Sequence, residues 1–346
     1  MFGTYRTLLA LMVVGQHIGG LPLIGSYAVF GFYALSGYLM TFIMQNNYGY
    51  SHRGIGRYAL NRFLRIYPIY WVSIAISASL VLGFGHSVTA AYHQDIYLPA
   101  DLPGLLRNLL LFFPLMESPR LTPPAWALTV ELCFYILIGL GLSRTRRLTV
   151  AWFLISILYH LFAVVSGRDT YFTVFAASLP FSTGALICHF RTEIAGRLDA
   201  VGATTGRWLP VVGVGLVLGN WLLGAAVAAL ETIAFYANYL LCAVLVAVLA
   251  SRRSLPLVSP AIDRWLGDLS YPIYLLHYQV ALVVMLAANA LGLHQGRPSL
   301  ALLAFAAPFV VAAAWLLSAS IEGPIERVRR RVKDGLPKGI GNPQPR

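Results

Sequence analysis

The sequence predicts an all-α, polytopic membrane bundle of about ten transmembrane helices with both termini cytoplasmic, and three observations carry that expectation. Hydrophobic residues fill 58% of the 346 positions and charged residues only 11%, with a mean hydropathy of +0.70, far too apolar for a soluble globular chain. The apolar residues gather in ten runs, near 5–21, 25–45, 64–84, 124–142, 148–166, 171–190, 208–223, 231–250, 270–292 and 299–320. Allowing for some short or tilted spans, these suit about 30 Å of hydrocarbon. Finally, the cations between the runs alternate. Placing the N-terminus inside gives the inner loops Arg53, Arg57 and Arg62, then Arg144, Arg146 and Arg147, then Arg191, Arg197 and Arg207, then Arg252, Arg253 and Arg264. The tail adds Arg327, Arg329, Arg330, Arg331 and Lys333, while the outer loops hold only Arg107, Arg120, Arg168 and Arg297. The positive-inside rule sets the orientation, and the net charge of +12 reports topology rather than a nucleic-acid partner.

The first run resembles a signal peptide, but GGLPLIGSY after it offers no cleavage site, so it is read as a retained helix. Arg6 and His17 bracket a ten-residue apolar stretch within it. Eleven residues at about 100° and 1.5 Å per residue place both on one face, roughly 16 Å apart. A neutral imidazole in a low-dielectric site can serve as a general base or, in an acyl-histidine relay, as a nucleophile, although a histidine hydrogen-bonded to a neighbouring helix would look the same. In the second run, GFYALSGYLM puts Ser36 and Gly37 mid-span, where small residues permit close helix contact or ligand access to the backbone. RFLRIYPIYW opens the third, with Arg62 and Arg65 at i and i+3 on one face and Arg57 nearby. These arginines are either an ordinary inner anchor or a polyanion clamp, since guanidiniums grip phosphate bidentately.

Residues 86–123 form a long outer loop, whose middle, LPGLLRNLLLFFPL at 102–115, is too short to span and reads as interfacial or re-entrant. The fourth run, PAWALTVELCFY, carries Trp126, Glu131 and, one turn on, Tyr135. Glu131 either makes a structural interhelical bond or orients a catalytic histidine. His160 and His189 have no such company and read as packing histidines. SYPIYLLH in the ninth run carries Tyr274 and His277, with Pro272 expected to start or kink the helix and His277 expected nearer the cytoplasmic half. The cysteines Cys133, Cys188 and Cys242 sit in apolar runs with no metal or redox spacing, so neither a disulfide framework nor a metal site is expected. No internal repeat is visible. Residues 1–334 are expected to form one membrane domain and 335–346 a disordered cytoplasmic tail.

Four stretches together resemble the acyltransferase 3 family of integral membrane acyltransferases: Arg6 to His17 as Arg-x10-His, FYALSGYLM at 32–40, RFLR at 62–65 and WALTVELCFY at 126–135. SYPIYLLH at 270–277 and IEGPIE at 321–326 look like the family's late motifs. Leu132 stands where a second acidic residue often follows Glu131, and Gly323 where IEGPIE often has a basic one. The resemblance implies a bacterial inner-membrane enzyme that moves an acyl group, most often acetyl, from cytosolic acetyl-CoA to a hydroxyl of a carbohydrate or glycolipid acceptor, such as lipopolysaccharide O-antigen or exopolysaccharide. No metal and no nucleic acid are implied. It also implies that Arg6 and His17 are the essential pair and that Arg62 and Arg65 bind the donor. No hydrolase-like domain follows the tenth run, which by analogy makes this the stand-alone form, acting directly or through a separate periplasmic transferase.

Such a reaction joins a cytosolic polyanion to an exported acceptor, so it needs cations at the inner face and a base deeper in the membrane. Arg6, Arg57, Arg62 and Arg65 suit the first need and His17 the second, with Glu131 expected to support the imidazolium. Ser36, Tyr135, Tyr274, His277 and Trp126 are expected around the substrates. A proton-coupled transporter or flippase of a glycolipid or metabolite is the alternative, because buried His and Glu also suit proton coupling.

Overall fold

A computed structural model describes residues 2–113, 120–200, 203–251, 256–293 and 298–334. The predicted tail at 335–346 lies outside the described residues. All ten apolar runs are helical, and no strand runs among the described residues. In chain order the helices are α1 Gly3–His17, α2 Ile24–Ile43, α3 His52–Phe84, α4 His86–Tyr92, α5 Leu102–Leu110, α6 Ala125–Gly139 and α7 Arg146–Val165. There follow α8 Val174–His189, α9 Arg191–Asp199, α10 Ala203–Ala226, α11 Glu231–Ser251, α12 Pro260–Ala290, α13 Leu300–Leu317 and α14 Gly323–Asp334. The side chains of Ser51, Asp101, Thr145, Thr173, Ser259 and Ser299 cap their helices by accepting a backbone N–H two or three residues into the first turn.

Seven of these elements are long and apolar enough to cross a bilayer. The other three expected spans, α1, α6 and α8, have 15, 15 and 16 residues, or about 23 Å of helix. They can be short because much of their surface packs on other helices, where backbone beyond the helix ends is covered by protein. By contrast α10 buries 17% of its most apolar stretch against 78% for α2, so α2 is central and α10 faces lipid. Two helices begin earlier than their apolar runs. In α3 the first twelve residues lie before the run, which moves Arg62 and Arg65 from the expected entrance into the helix interior. In α12 the helix starts at Pro260, so Pro272 is internal and starts nothing.

The interfacial segment is α5, whose Leu102, Leu105, Leu106, Leu109 and Leu110 are exposed while Asn108 is buried. Its last carbonyls accept from α3: Tyr70 Oη donates to Asn108 O at 2.7 Å, Trp71 Nε1 to Leu109 O at 2.9 Å and Tyr67 Oη to Leu110 O at 2.9 Å. An apolar outer face with a pinned polar inner one is the pattern of a helix lying in the interface.

Two crossings set the site. At the α2–α8 crossing, a Cβ on Gly37 would strike the Phe181 carbonyl and one on Gly184 would strike the Ala34 carbonyl. The contact is reciprocal and admits only glycine at both positions, the small-residue packing that holds membrane helices together. Gly37 thus serves helix contact, and Ser36 beside it is left for the interior. Gly184→Leu is expected to destabilise the bundle by at least about 1–3 kcal/mol through overpacking, read as a lower unfolding midpoint in detergent. An unchanged midpoint would refute the tight crossing.

The second crossing joins α1 to α12. Asp263 of α12 caps α1 from outside, accepting from Gly3 N at 3.3 Å, Thr4 N at 2.9 Å and Thr4 Oγ1 at 2.8 Å, and Thr7 Oγ1 donates to Leu266 O at 2.5 Å. At the far end His17 meets His277. Positions 3 and 263, and 17 and 277, differ by the same 260 residues, so α1 and α12 run parallel and in register.

Candidate active site

A cavity of about 470 Å³ lies between α1, α2, α3, α6, α12 and α14. Arg6, Arg62, Arg65, Arg264, Arg329 and Arg330 line one part of it. Arg6 lies near the start of α1 and Arg264 near the start of α12, the helix ends beside the inner-loop cations, and Arg62 and Arg65 of α3 with Arg329 and Arg330 of α14 join them, which makes this the cytoplasmic end by the positive-inside rule. Arg65 forms a buried ion pair with Glu322 and lies 6.0 Å from the Tyr271 ring centroid. Gly323, where the sequence departs from the family pattern, therefore leaves Glu322 its pairing. Arg62 donates from Nη2 to Asn61 Oδ1 at 2.7 Å. Arg6 is within electrostatic reach of Glu131, Asp268 and Arg62. Arg57 is half-buried on α3 but does not line the cavity.

Asp268, Ser270, Tyr271 and Glu326 lie among the arginines, and the polar lining away from them includes Tyr33, Ser36, Glu131, Tyr135 and Tyr274. Ser36 Oγ donates to Glu131 Oε1 at 2.5 Å, and Tyr135 Oη donates to the same oxygen. Tyr274 Oη donates to Pro124 O at 2.9 Å. The Tyr33 hydroxyl is buried with no hydrogen-bond partner in the protein. Glu131 is thus not brought to His17. It faces α2 from α6, with Tyr135 one turn on along the same face, whereas His17 closes α1 and faces α12.

His17 does not line this cavity, so the shared face of Arg6 and His17 spans two compartments. The partner of His17 is His277, with Nδ1 of the first 2.9 Å from Nε2 of the second and the rings stacked at 5.2 Å. His277 is wholly buried, and its Nδ1 lies 2.8 Å from Tyr274 O. A carbonyl only accepts, so with both rings neutral His277 carries its proton on Nδ1 and accepts on Nε2. The proton between the rings then belongs to His17 Nδ1, and the bare lone pair of the pair is His17 Nε2. Tyr274 joins the compartments, its side chain lining the cavity and its carbonyl fixing His277. The expectation that His277 sits nearer the cytoplasm is corrected by the parallel register, which sets it beside the last residue of α1.

Beyond the histidines the outer loop closes down. The Tyr278 ring packs 5.0 Å from His17, 4.8 Å from His93 and 6.2 Å from Tyr92. Burial, with some help from Arg120, lowers the His93 imidazole below its ordinary value against the opposing pull of Asp95. Trp126 lies in an aromatic group with Tyr171 and Phe172 and does not line the cavity. His160 bonds to Tyr236 Oη at 2.9 Å, and His189 lies 3.0 Å from Ser143 O, both away from the site. Sequence reasoning did not single out Asp263, Asn61, His93 or the cavity-facing residues of α14. Only the last left a signal, the charge pattern of GPIERVRRRVKD.

Comparison with known proteins gives no match among curated proteins and none among solved structures. A family model described as an acyltransferase domain matches residues 4–319, from the turn that carries Arg6 to the end of α13. With that match over nearly the whole membrane bundle, the chain belongs to the acyltransferase 3 family, and the protein is a multi-pass membrane acyltransferase.

Proposed function

We propose that the protein transfers an acetyl group from cytosolic acetyl-CoA to a hydroxyl of a cell-surface or exported carbohydrate, lipopolysaccharide O-antigen or exopolysaccharide, with His17 as general base. The observation that carries this reading is the split between the arginine-lined cavity and the histidine pair with one bare nitrogen, joined through Tyr274. Coenzyme A is a nucleotide with several phosphates on a long pantetheine arm. Arginines suit the phosphates. Glu131 Oε1 takes both the Ser36 and Tyr135 bonds, leaving Oε2 to accept an amide N–H of the arm.

In this scheme the thioester passes Tyr274 to reach His17. As the acceptor oxygen attacks the thioester carbonyl, His17 Nε2 takes its proton; the C–O bond forms, the C–S bond breaks, and the proton passes to the departing thiolate. His277 stabilises the imidazolium by keeping its own lone pair on the His17 Nδ1–H. The acceptor approaches from the side of the outer loop. Such base catalysis contributes about 10² to 10⁴ in rate. A bacterial inner membrane is the setting in which both substrates are at hand.

Membranes containing the protein should move label from acetyl-labelled acetyl-CoA into host glycan, with loss of labelling in Arg65→Ala and His17→Ala. Folded wild-type protein that releases no CoA and labels no glycan would overturn the reading and leave the buried polar groups to a transporter.

A further inference from the structure

The helix α14 begins four residues beyond the end of the family match, at Gly323. Taken alone, GPIERVRRRVKD is a basic amphipathic helix of the kind that rests on a membrane surface. Packing gives it another role. Glu326, Arg329 and Arg330, at i, i+3 and i+4, line the cavity, Arg330 with an exposed side chain, while Arg327 and Arg331 do not line it. Asn61 of α3 ties the two helices: its Oδ1 accepts from Arg62 Nη2 at 2.7 Å and from Arg329 Nη2 at 3.4 Å, and its Nδ2 donates to Arg329 O at 3.4 Å. Glu326 is shared by Arg329, at 2.6 Å, and Arg330, at 3.4 Å.

This corner is short of anions. The six arginines around the cavity face Glu131, Asp268 and Glu326, with Glu322 on Arg65, an excess of two cations. Arg62 and Arg329 share one amide oxygen, and each has a buried Nε–H with no partner in the protein. A buried guanidinium N–H without an acceptor is costly, and two like charges on one neutral acceptor call for an anion between them.

We propose that α14 is the second jaw of the donor site: Arg329 and Arg330 bind phosphate groups of a multiply phosphorylated nucleotide held on its other side by Arg62, and Glu326 is the carboxylate that the phosphates displace. The inference rests on the reading of the cavity as the donor site, and it adds to that reading a phosphate-binding element outside the matched acyltransferase domain.

The test is binding of coenzyme A, with no acceptor present, to full-length protein in a neutral detergent. Arg329→Gln and Arg330→Gln should each weaken binding about tenfold, the usual loss for one charge-assisted hydrogen bond, and Arg327→Gln and Arg331→Gln should stay within about twofold. Glu326→Gln should tighten binding, because it removes the competing carboxylate, and a gain of affinity cannot come from a misfolded protein. Wild-type protein that fails to bind coenzyme A would overturn the donor-site reading itself. Wild-type binding with all three cavity-facing variants unchanged would overturn the role of α14 alone. An effect of the arginine variants seen only in vesicles of anionic phospholipid, and absent in detergent, would assign them to lipid headgroups and likewise overturn the proposal.

Discussion

Replacing His17 by alanine should lower acyl transfer by about 10² to 10⁴, and replacing His277 by phenylalanine should cost most of the same factor with little change in donor affinity. The second expectation follows from the hydrogen-bond order. His277 Nδ1 is committed to the Tyr274 carbonyl, so His277 Nε2 is the acceptor that keeps the His17 proton on Nδ1. Phenylalanine fills the same buried space and removes that acceptor, so His17 loses both its fixed tautomer and the partner for its imidazolium. Glutamine at 277 can still offer an oxygen, and His277→Gln should retain more activity than His277→Phe. Because the two rings act as one unit, the double variant His17→Ala with His277→Phe should be no slower than His17→Ala alone. Measured turnover in which the two losses multiply, or in which glutamine and phenylalanine at 277 are equivalent, would sink the role of His277 in holding His17.

That pair also shows what could be read in the sequence. The ten runs, the inner-loop arginines and the motif order were legible because lipid imposes length, apolarity and charge asymmetry locally along the chain. The cluster of Ser36, Glu131 and Tyr135 was half legible: the four-residue spacing of Glu131 and Tyr135 is visible, but Ser36 lies 95 positions away. The His17–His277 contact was not legible, because it depends on the register of two helices 260 positions apart, set at the other end by Asp263 capping α1. Helical periodicity correctly put Arg6 and His17 on one face. What it could not show is that α12, α2 and α6 divide that face into an arginine-lined cavity and a histidine pair.

The outer loop presents the same limit, since polar residues in a loop read as solvated, and here Arg120 is buried and paired with a half-buried Asp95. Arg120→Leu should destabilise the protein by about 3–5 kcal/mol, the cost of leaving one charge of a buried pair alone. Arg120 is only 4% exposed, donates to Asp95 Oδ2 at 2.5 Å and holds the Pro123 carbonyl from Nε at 3.2 Å. Those bonds tie the loop carrying His93 to the turn that starts α6 and so to Glu131. The neighbouring anchors, Leu121 N to Asn108 Oδ1 at 2.9 Å and Ser73 Oγ to Thr122 Oγ1 at 2.7 Å, hold the same turn on α5 and α3. Replacing both partners, Asp95→Leu with Arg120→Leu, should recover much of the loss, because no unpaired charge is then buried. Acid should loosen the loop by a separate route: the His93 imidazole is held below its ordinary value, so the open loop takes the proton first. Its contribution is complete above about pH 6.5 and fades as the pH falls toward the lowered value. Hydrogen exchange across 86–113 measures both effects. Protection that is the same in wild type and Arg120→Leu, and flat between pH 7 and 5, would mean that the loop is held by its apolar contacts alone and that the ion pair does not position the outer wall of the site.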